Sequence, residues 1–252
     1  MKYKTSASII LFLLLLAAPA AHSAAAPLSF WVDAESGAAI TGYNDVQIPA
    51  DTGTRFSLTD DLSPDTVWYY RLQAGVDIGR HSVFGLYAPL LVESTGSIDS
   101  EVDFYGETYP SGTDLTATYK FNSYRLTYAY TFLRNPDFEL AAGLTGKIRD
   151  AYIALDDGST ESKRTDLGFV PLVHLSARWM FAPKFSLLLK GDGLAAPQGR
   201  AEDFQLALIY SPQPDLDVRI GYRLLEGGSD GGGSVYTFSM FHYLGAGVLW
   251  RF

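Results

Sequence analysis

The chain has 252 residues, with 19 Lys and Arg against 28 Asp and Glu, and no cysteine. A net charge of −9 disfavours a nucleic-acid partner, and the missing cysteines exclude a disulfide framework and any thiolate metal site. Aromatic residues make up 14% of the chain, including 16 Tyr and 15 Phe, a load that needs a large core or a membrane interface.

The first residues read MKYKTSASIILFLLLLAAPAAHSAAA. Lys2 and Lys4 precede an apolar run from Ile9 to Ala18, Pro19 breaks it, and Ala21-His22-Ser23 is a small-x-small cleavage pattern. Residues 1–23 are therefore predicted to be a secretory signal peptide, with cleavage between 23 and 26 and a mature chain over 24–252. A retained anchor helix is the alternative, but the apolar run is too short to span a bilayer.

Apolar and polar residues then alternate with period two, as in strands with two chemically different faces. The first predicted strand, 28–41, sets Phe30, Val32 and Ala34 against Asp33 and Glu35. The acidic connection 42–66 carries Val46, Ile48, Phe56 and Leu58, so it is expected to pack. Strand 67–79 opens with Trp68 and Tyr70 and sets Leu72, Ala74, Val76 and Ile78 against Arg71 and Asp77. In 82–96 the apolar face is read as Phe84, Leu86, Ala88, Leu90 and Val92, with Gly85 and Glu93 opposite. Strand 113–133 follows the acidic loop 97–112. Its Leu115, Ala117, Tyr119 and Phe121 share the parity of Ser123 and Arg125, which predicts a bulge near Asn122 or separate packing of a projecting sheet. Strands 137–156, 163–181, 184–195, 202–211, 215–226 and 235–252 complete a set of ten.

Short connections at 79–81, 133–136, 182–183 and 211–214 alternate with longer ones at 42–66, 97–112, 157–162, 196–201 and 227–234. One face of the strands is nearly free of charge, and nothing in the sequence is helical enough to cover it; lipid can. The predicted fold is all-β: a transmembrane antiparallel up-and-down barrel of ten strands, with eight or twelve as the nearest alternatives. Its lumen would be lined by Asp33, Glu35, Arg71, Asp77, Arg125, Lys147, Arg149, Arg178, Lys190, Asp192, Arg219 and Arg223, with acids and bases nearly balanced. Aromatic residues gather at both strand ends, as girdles at membrane interfaces do. Segments 113–133, 137–156, 163–181 and 235–252 exceed the length needed to span, so the barrel is expected to project.

The chain ends LGAGVLWRF. With Val248, Trp250 and Phe252 alternating to the last residue, this stretch resembles the C-terminal signature of bacterial outer-membrane β-barrel proteins. The resemblance implies the outer membrane of a Gram-negative bacterium, and an insertion machinery that reads the last strand. Outer-membrane lipids and lipopolysaccharide would surround the barrel, and an even strand count puts both termini on the periplasmic side. A monomer is expected.

Chemistry is sparser. The inward charges are expected to pair and close the lumen, although Gly75, Gly85, Gly143, Gly221, Gly245 and Gly247 share their parity and would leave room for a narrow pore. The acidic loops offer carboxylates to a divalent cation but lack the spacing of a metal site, so no metal and no cofactor is expected. His174-Leu175-Ser176 resembles the His-x-Ser of outer-membrane phospholipase and lipid A deacylase families, but Ala177 stands where they carry Asn, and the pair has inward parity. His242 has lipid-facing parity, as do Ser36 and Glu226, and these three would suit acyl-ester hydrolysis. The favoured function is non-enzymatic: surface binding, membrane integrity or a narrow pore. The alternative is a lipid acyl hydrolase using Ser36, His242 and Glu226.

Overall fold

The computed structural model describes residues 28–232 and 234–252; the signal-peptide expectation over 1–23 lies outside the described residues. Ten strands form a ring: β1 Leu28–Gln47, β2 Val67–Ile78, β3 in two segments (His81–Ala88 and Leu91–Ser97), β4 Asp114–Arg134, β5 Phe138–Asp156, β6 Glu161–Ala182, β7 Phe185–Ala196, β8 Gly199–Gln213, β9 Leu216–Asp230 and β10 Tyr236–Arg251. Each pairs antiparallel with its neighbours in sequence, and β10 pairs β1 from Trp31↔Arg251 to Gln47↔Tyr236. The ring is closed, which removes the sheet edges that hydrocarbon cannot satisfy. At the seam Phe30 and Phe252 exchange both backbone hydrogen bonds, at 3.0 and 2.8 Å.

Following paired residues round the ring leads from Phe30 through Val76, Val83, Tyr128, Leu144, Val173, Gly193, Glu202, Glu226 and Met240 to Tyr43. The path returns far up the strand on which it began, and this stagger is what tilts the strands of a barrel. Leu144 is 68% exposed and Leu167 76% on the outer surface, an apolar band that only lipid would cover. At the short-turn end Phe138, Trp179, Phe181, Phe185 and Tyr210 form a chain of ring contacts at 5.1–6.4 Å. At the other end of the band Tyr70, Tyr87 and Tyr124 form a second.

Two expectations are corrected, and of the two readings of β4 the separately packed sheet is the one that holds. In the first segment of β3 the faces are reversed: Val83 and Tyr87 point outward, while Phe84 packs on Trp31 and His174 inside. Gly85 is therefore outward, and so is Glu93, which is exposed in the second segment. Both faces of VFGLYAPLLV are apolar, so alternation could not orient it. No bulge lies near Asn122; β4 pairs β5 without interruption from Thr116 to Thr131, and the projecting sheet has an interior of its own. Finally, the connection read as 196–201 is only Pro197-Gln198, because β8 begins at Gly199. β7 thus ends well short of the long-loop end of β6.

That projecting interior is apolar. Val46, Ile48, Leu58, Val102, Phe104, Tyr109, Ala117 and Leu155 are buried in one cluster, so the 48–66 segment folds over the barrel end as its composition implied. Backbone hydrogen bonds tie it to the 98–113 loop: Tyr105 N–H to the Ile48 carbonyl and Thr54 N–H to the Asp103 carbonyl, both at 2.8 Å. Tyr109 donates to the Leu155 carbonyl at 2.7 Å, and burial pushes its hydroxyl up to about 12.

The inward glycines are close approaches. A Cβ at position 245 would lie 2.2 Å from the Tyr69 hydroxyl and 2.5 Å from the Ser36 carbonyl oxygen. Gly245→Ala is expected to destabilise the barrel by roughly 1–3 kcal/mol, the usual cost of overpacking, read as a lower urea midpoint in detergent.

Candidate functional site

Period two aims one side chain in two at the axis, and across the middle of the lumen these side chains meet. Asp203 on β8 is 2% exposed and accepts from three guanidiniums: Arg125 at 2.6 Å, Arg223 at 2.7 Å and Arg71 at 3.0 Å. Arg71 stands on β2 and Arg125 on β4, so these bonds cross the lumen. Glu35 is held by Arg219 at 2.9 Å, Arg223 at 3.2 Å, Gln205 at 2.6 Å and Tyr69 at 3.1 Å. Arg219 also grips Asp33 at 2.7 Å. Arg125 continues to Asp192 at 2.7 Å, which accepts from Thr145 at 2.7 Å and meets His174 Nδ1 at 2.9 Å. Charge-assisted, partly bidentate bonds of this kind are the strong ones, and together they fill the cross-section.

The remaining lumen candidates lie above or below this lattice. Arg178 pairs Asp217 at 2.9 Å, and Asp77 accepts from Ser82, both towards the short turns. Lys190 donates to Gln73 at 3.2 Å. Arg149 pairs Asp166 towards the long loops, and Lys147 is buried there as well. Asp203 and Gln205 were missing from the sequence-derived lining, although the outward parity of Leu206, Leu208 and Tyr210 points both of them inward. The glycine space is filled: a Cβ at Gly247 would meet the Arg219 guanidinium at 2.6 Å, and one at Gly75 would meet the Trp31 ring at 2.6 Å.

The lattice separates two cavities. One, of about 170 Å³, lies towards the short turns beside Trp31, Asp77 and Arg178. The other, of about 250 Å³, lies towards the long loops. Its walls are Tyr119, Phe121, Ile153, Val170, Leu225 and Phe241, with Lys147 and Arg149 below and Ile48 and Val235 above.

The Ser36, His242 and Glu226 constellation does not form. His242 lies opposite Ile40, whereas Ser36 lies opposite Ala246, and the Ser36 hydroxyl donates to the Tyr69 carbonyl at 2.6 Å. Glu226 is engaged by Arg200 at 2.6 Å and by Tyr43. His242 Nδ1 meets the Tyr222 hydroxyl at 2.7 Å, a pair that meets the hydrogen-bonding need of an imidazole in the apolar band. Sequence parity placed the three on one surface, but register sets them apart. His174 and Ser176 face the interior, with His174 committed to Asp192. Among the described residues no group of three or more His, Asp or Glu is arranged to hold a metal ion.

No protein-family model and no curated protein matches the chain in sequence. Among solved structures, the chain is similar to the outer membrane protease OmpT of Escherichia coli, with a TM-score of 0.52 and 11% identity over 89% of this chain and 97% of that one. Neisserial surface protein A (15% identity, TM-score 0.35, 88% and 97% covered) and Ail of Yersinia pestis (13%, 0.35, 88% and 98%) align less closely. At this identity the likeness to OmpT is one of fold alone. It agrees with the closed ring: the fold is that of the ten-stranded outer-membrane β-barrels.

Asp203→Asn removes the charge on which three buried guanidiniums converge. Breaking a buried pair on one side leaves uncompensated charge, at a cost of roughly 3–5 kcal/mol. The expected outcome is a barrel that unfolds at lower urea, followed by tryptophan fluorescence, whereas the exposed Glu139→Gln at the short turns shifts the midpoint little.

Proposed function

We propose that this protein is a closed, non-conducting binding barrel of a Gram-negative outer membrane. In this reading it is a monomer surrounded by outer-membrane lipid and lipopolysaccharide, with both termini and the short turns in the periplasm and the capped end at the cell surface. The terminal Val248, Trp250 and Phe252 would serve as the address read by the insertion machinery. The observation that carries the reading is the guanidinium of Arg125 bonded across the lumen to Asp203 and Asp192. Small barrels have interiors that side chains can fill, and charges of both signs in contact make a plug where a selectivity filter presents one sign. The ordered cap of the 48–66 and 98–113 segments gives such a barrel a fixed outer surface.

Conductance in a planar bilayer tests this. The refolded wild-type barrel is expected to be silent, and Asp203→Asn to open irregular leaks as the lattice loosens. Steady discrete steps from the wild-type protein, with an ion preference that shifts in Arg219→Gln, would instead make the charged lining a pore.

A further inference from the structure

We propose that the cavity on the long-loop side of the charge lattice binds a single-chain anionic amphiphile, which enters sideways from the outer leaflet between β6 and the β7–β8 hairpin. The proposal takes its membrane orientation and its closed floor from the reading above.

Lys147 is the first reason. It is 2% exposed and lines the cavity. Among the described residues its ammonium makes no ion pair and no hydrogen bond; it lies over the Phe121 ring face at 4.4 Å, and Asp203, already shared by three guanidiniums, acts on it only from a distance. Of the other cations lining the cavity, Arg149 pairs with Asp166, Arg200 with Glu226 and Lys120 with Asp150, and the half-exposed Arg164 donates to the Thr165 carbonyl at 2.6 Å. A buried charge without a partner is costly, and an anionic head supplies the partner that the protein withholds. Above Lys147 the walls are largely apolar, with Ile153, Val170, Leu225 and Phe241 suited to a hydrocarbon body. A cavity of about 250 Å³ is below the usual range for drug-sized ligands, which favours one chain over two.

Access is the second reason. The axial route is roofed by Ile48 and Val235, and Ala50 N–H donates to the Ser234 carbonyl at 3.1 Å across that roof. The side wall is incomplete. β6 runs to Glu161 and β7 to Ala196, yet their pairing stops at Val173↔Gly193. Two residues beyond Val173 stands Pro171, which has no N–H to offer a ladder. Val170 on β6 and Ala201 on β8 line the cavity beside this gap. Outside, Phe169 and Leu167 are 66% and 76% exposed. The same stretch of β6 that leaves the ladder thus carries the apolar band, which sets the gap at lipid height.

The test uses the refolded barrel in phosphatidylcholine nanodiscs, titrated with 11-(dansylamino)undecanoate and followed by dansyl fluorescence. Saturable binding is expected, weakened at least tenfold in Lys147→Met and recovered in Lys147→Arg. The probe's methyl ester should not distinguish wild type from Lys147→Met. A mobility shift between unheated and heated samples on gels, equal to that of wild type, checks folding of each variant. Competition by laurate or by lysophosphatidylglycerol separates a carboxylate from a phosphate head. Ala201→Trp, which fills the gap and spares Lys147, should abolish capture from the bilayer. Absence of saturable binding, equal affinity in Lys147→Met, or wild-type capture by Ala201→Trp overturns the proposal. A barrel that conducts yet binds the probe through Lys147 refutes the closed lumen and keeps this site; a silent barrel that ignores the probe does the reverse.

Discussion

One carboxylate shared by three guanidiniums organises the interior. Asp203 joins β8 to β2, β4 and β9 through Arg71, Arg125 and Arg223, and through β2 and β4 it holds walls that share no backbone hydrogen bonds with β8. Arginine suits this task because its planar fork stays charged and serves two carboxylates at once, as Arg223 does for Glu35 and Asp203. Desolvating so many charges offsets much of their attraction, and an apolar core of the same shape could be as stable. What the lattice contributes is position: it spans the lumen at mid-height, with a cavity on either side.

The outer half follows from unequal strand lengths. Long β1, β4 and β5 carry an apolar interior beyond the membrane band, and the 48–66 and 98–113 segments bury themselves in it. The short β7–β8 hairpin interrupts the same wall on the other side. A roof above, a lattice below and a missing section of ladder at one side turn the remaining space into a chamber that faces lipid. Among the described residues Lys147 is the buried cation of that chamber without an ion pair or a hydrogen bond of its own.

Much of this was legible in the residues. Alternation placed all ten strands, because a strand with lipid on one side and paired charges on the other must change chemistry at every step. It failed in β3, where Phe84 and Leu86 are as apolar as Val83 and Tyr87. The packing of Ile48, Phe56 and Leu58 was readable from apolar residues too numerous for a solvated loop. The inward glycines leave little free space of their own, since a glycine leaves room for whatever stands opposite, and opposite Gly247 stands Arg219. Pro171, in the middle of a predicted strand, was the available signal for the gap between β6 and β7.

The sequence by itself determined the class of this protein: period-two alternation, a charge-free face and aromatic strand ends leave a lipid-facing barrel as the economical way to bury that face. Only the tertiary structure decided what the inside does. Parity says that a side chain points inward, but stagger decides which residue it meets. Register separated Ser36 from His242, brought Arg125 to Asp203 across the lumen, and left Lys147 beneath an apolar chamber with no carboxylate of its own.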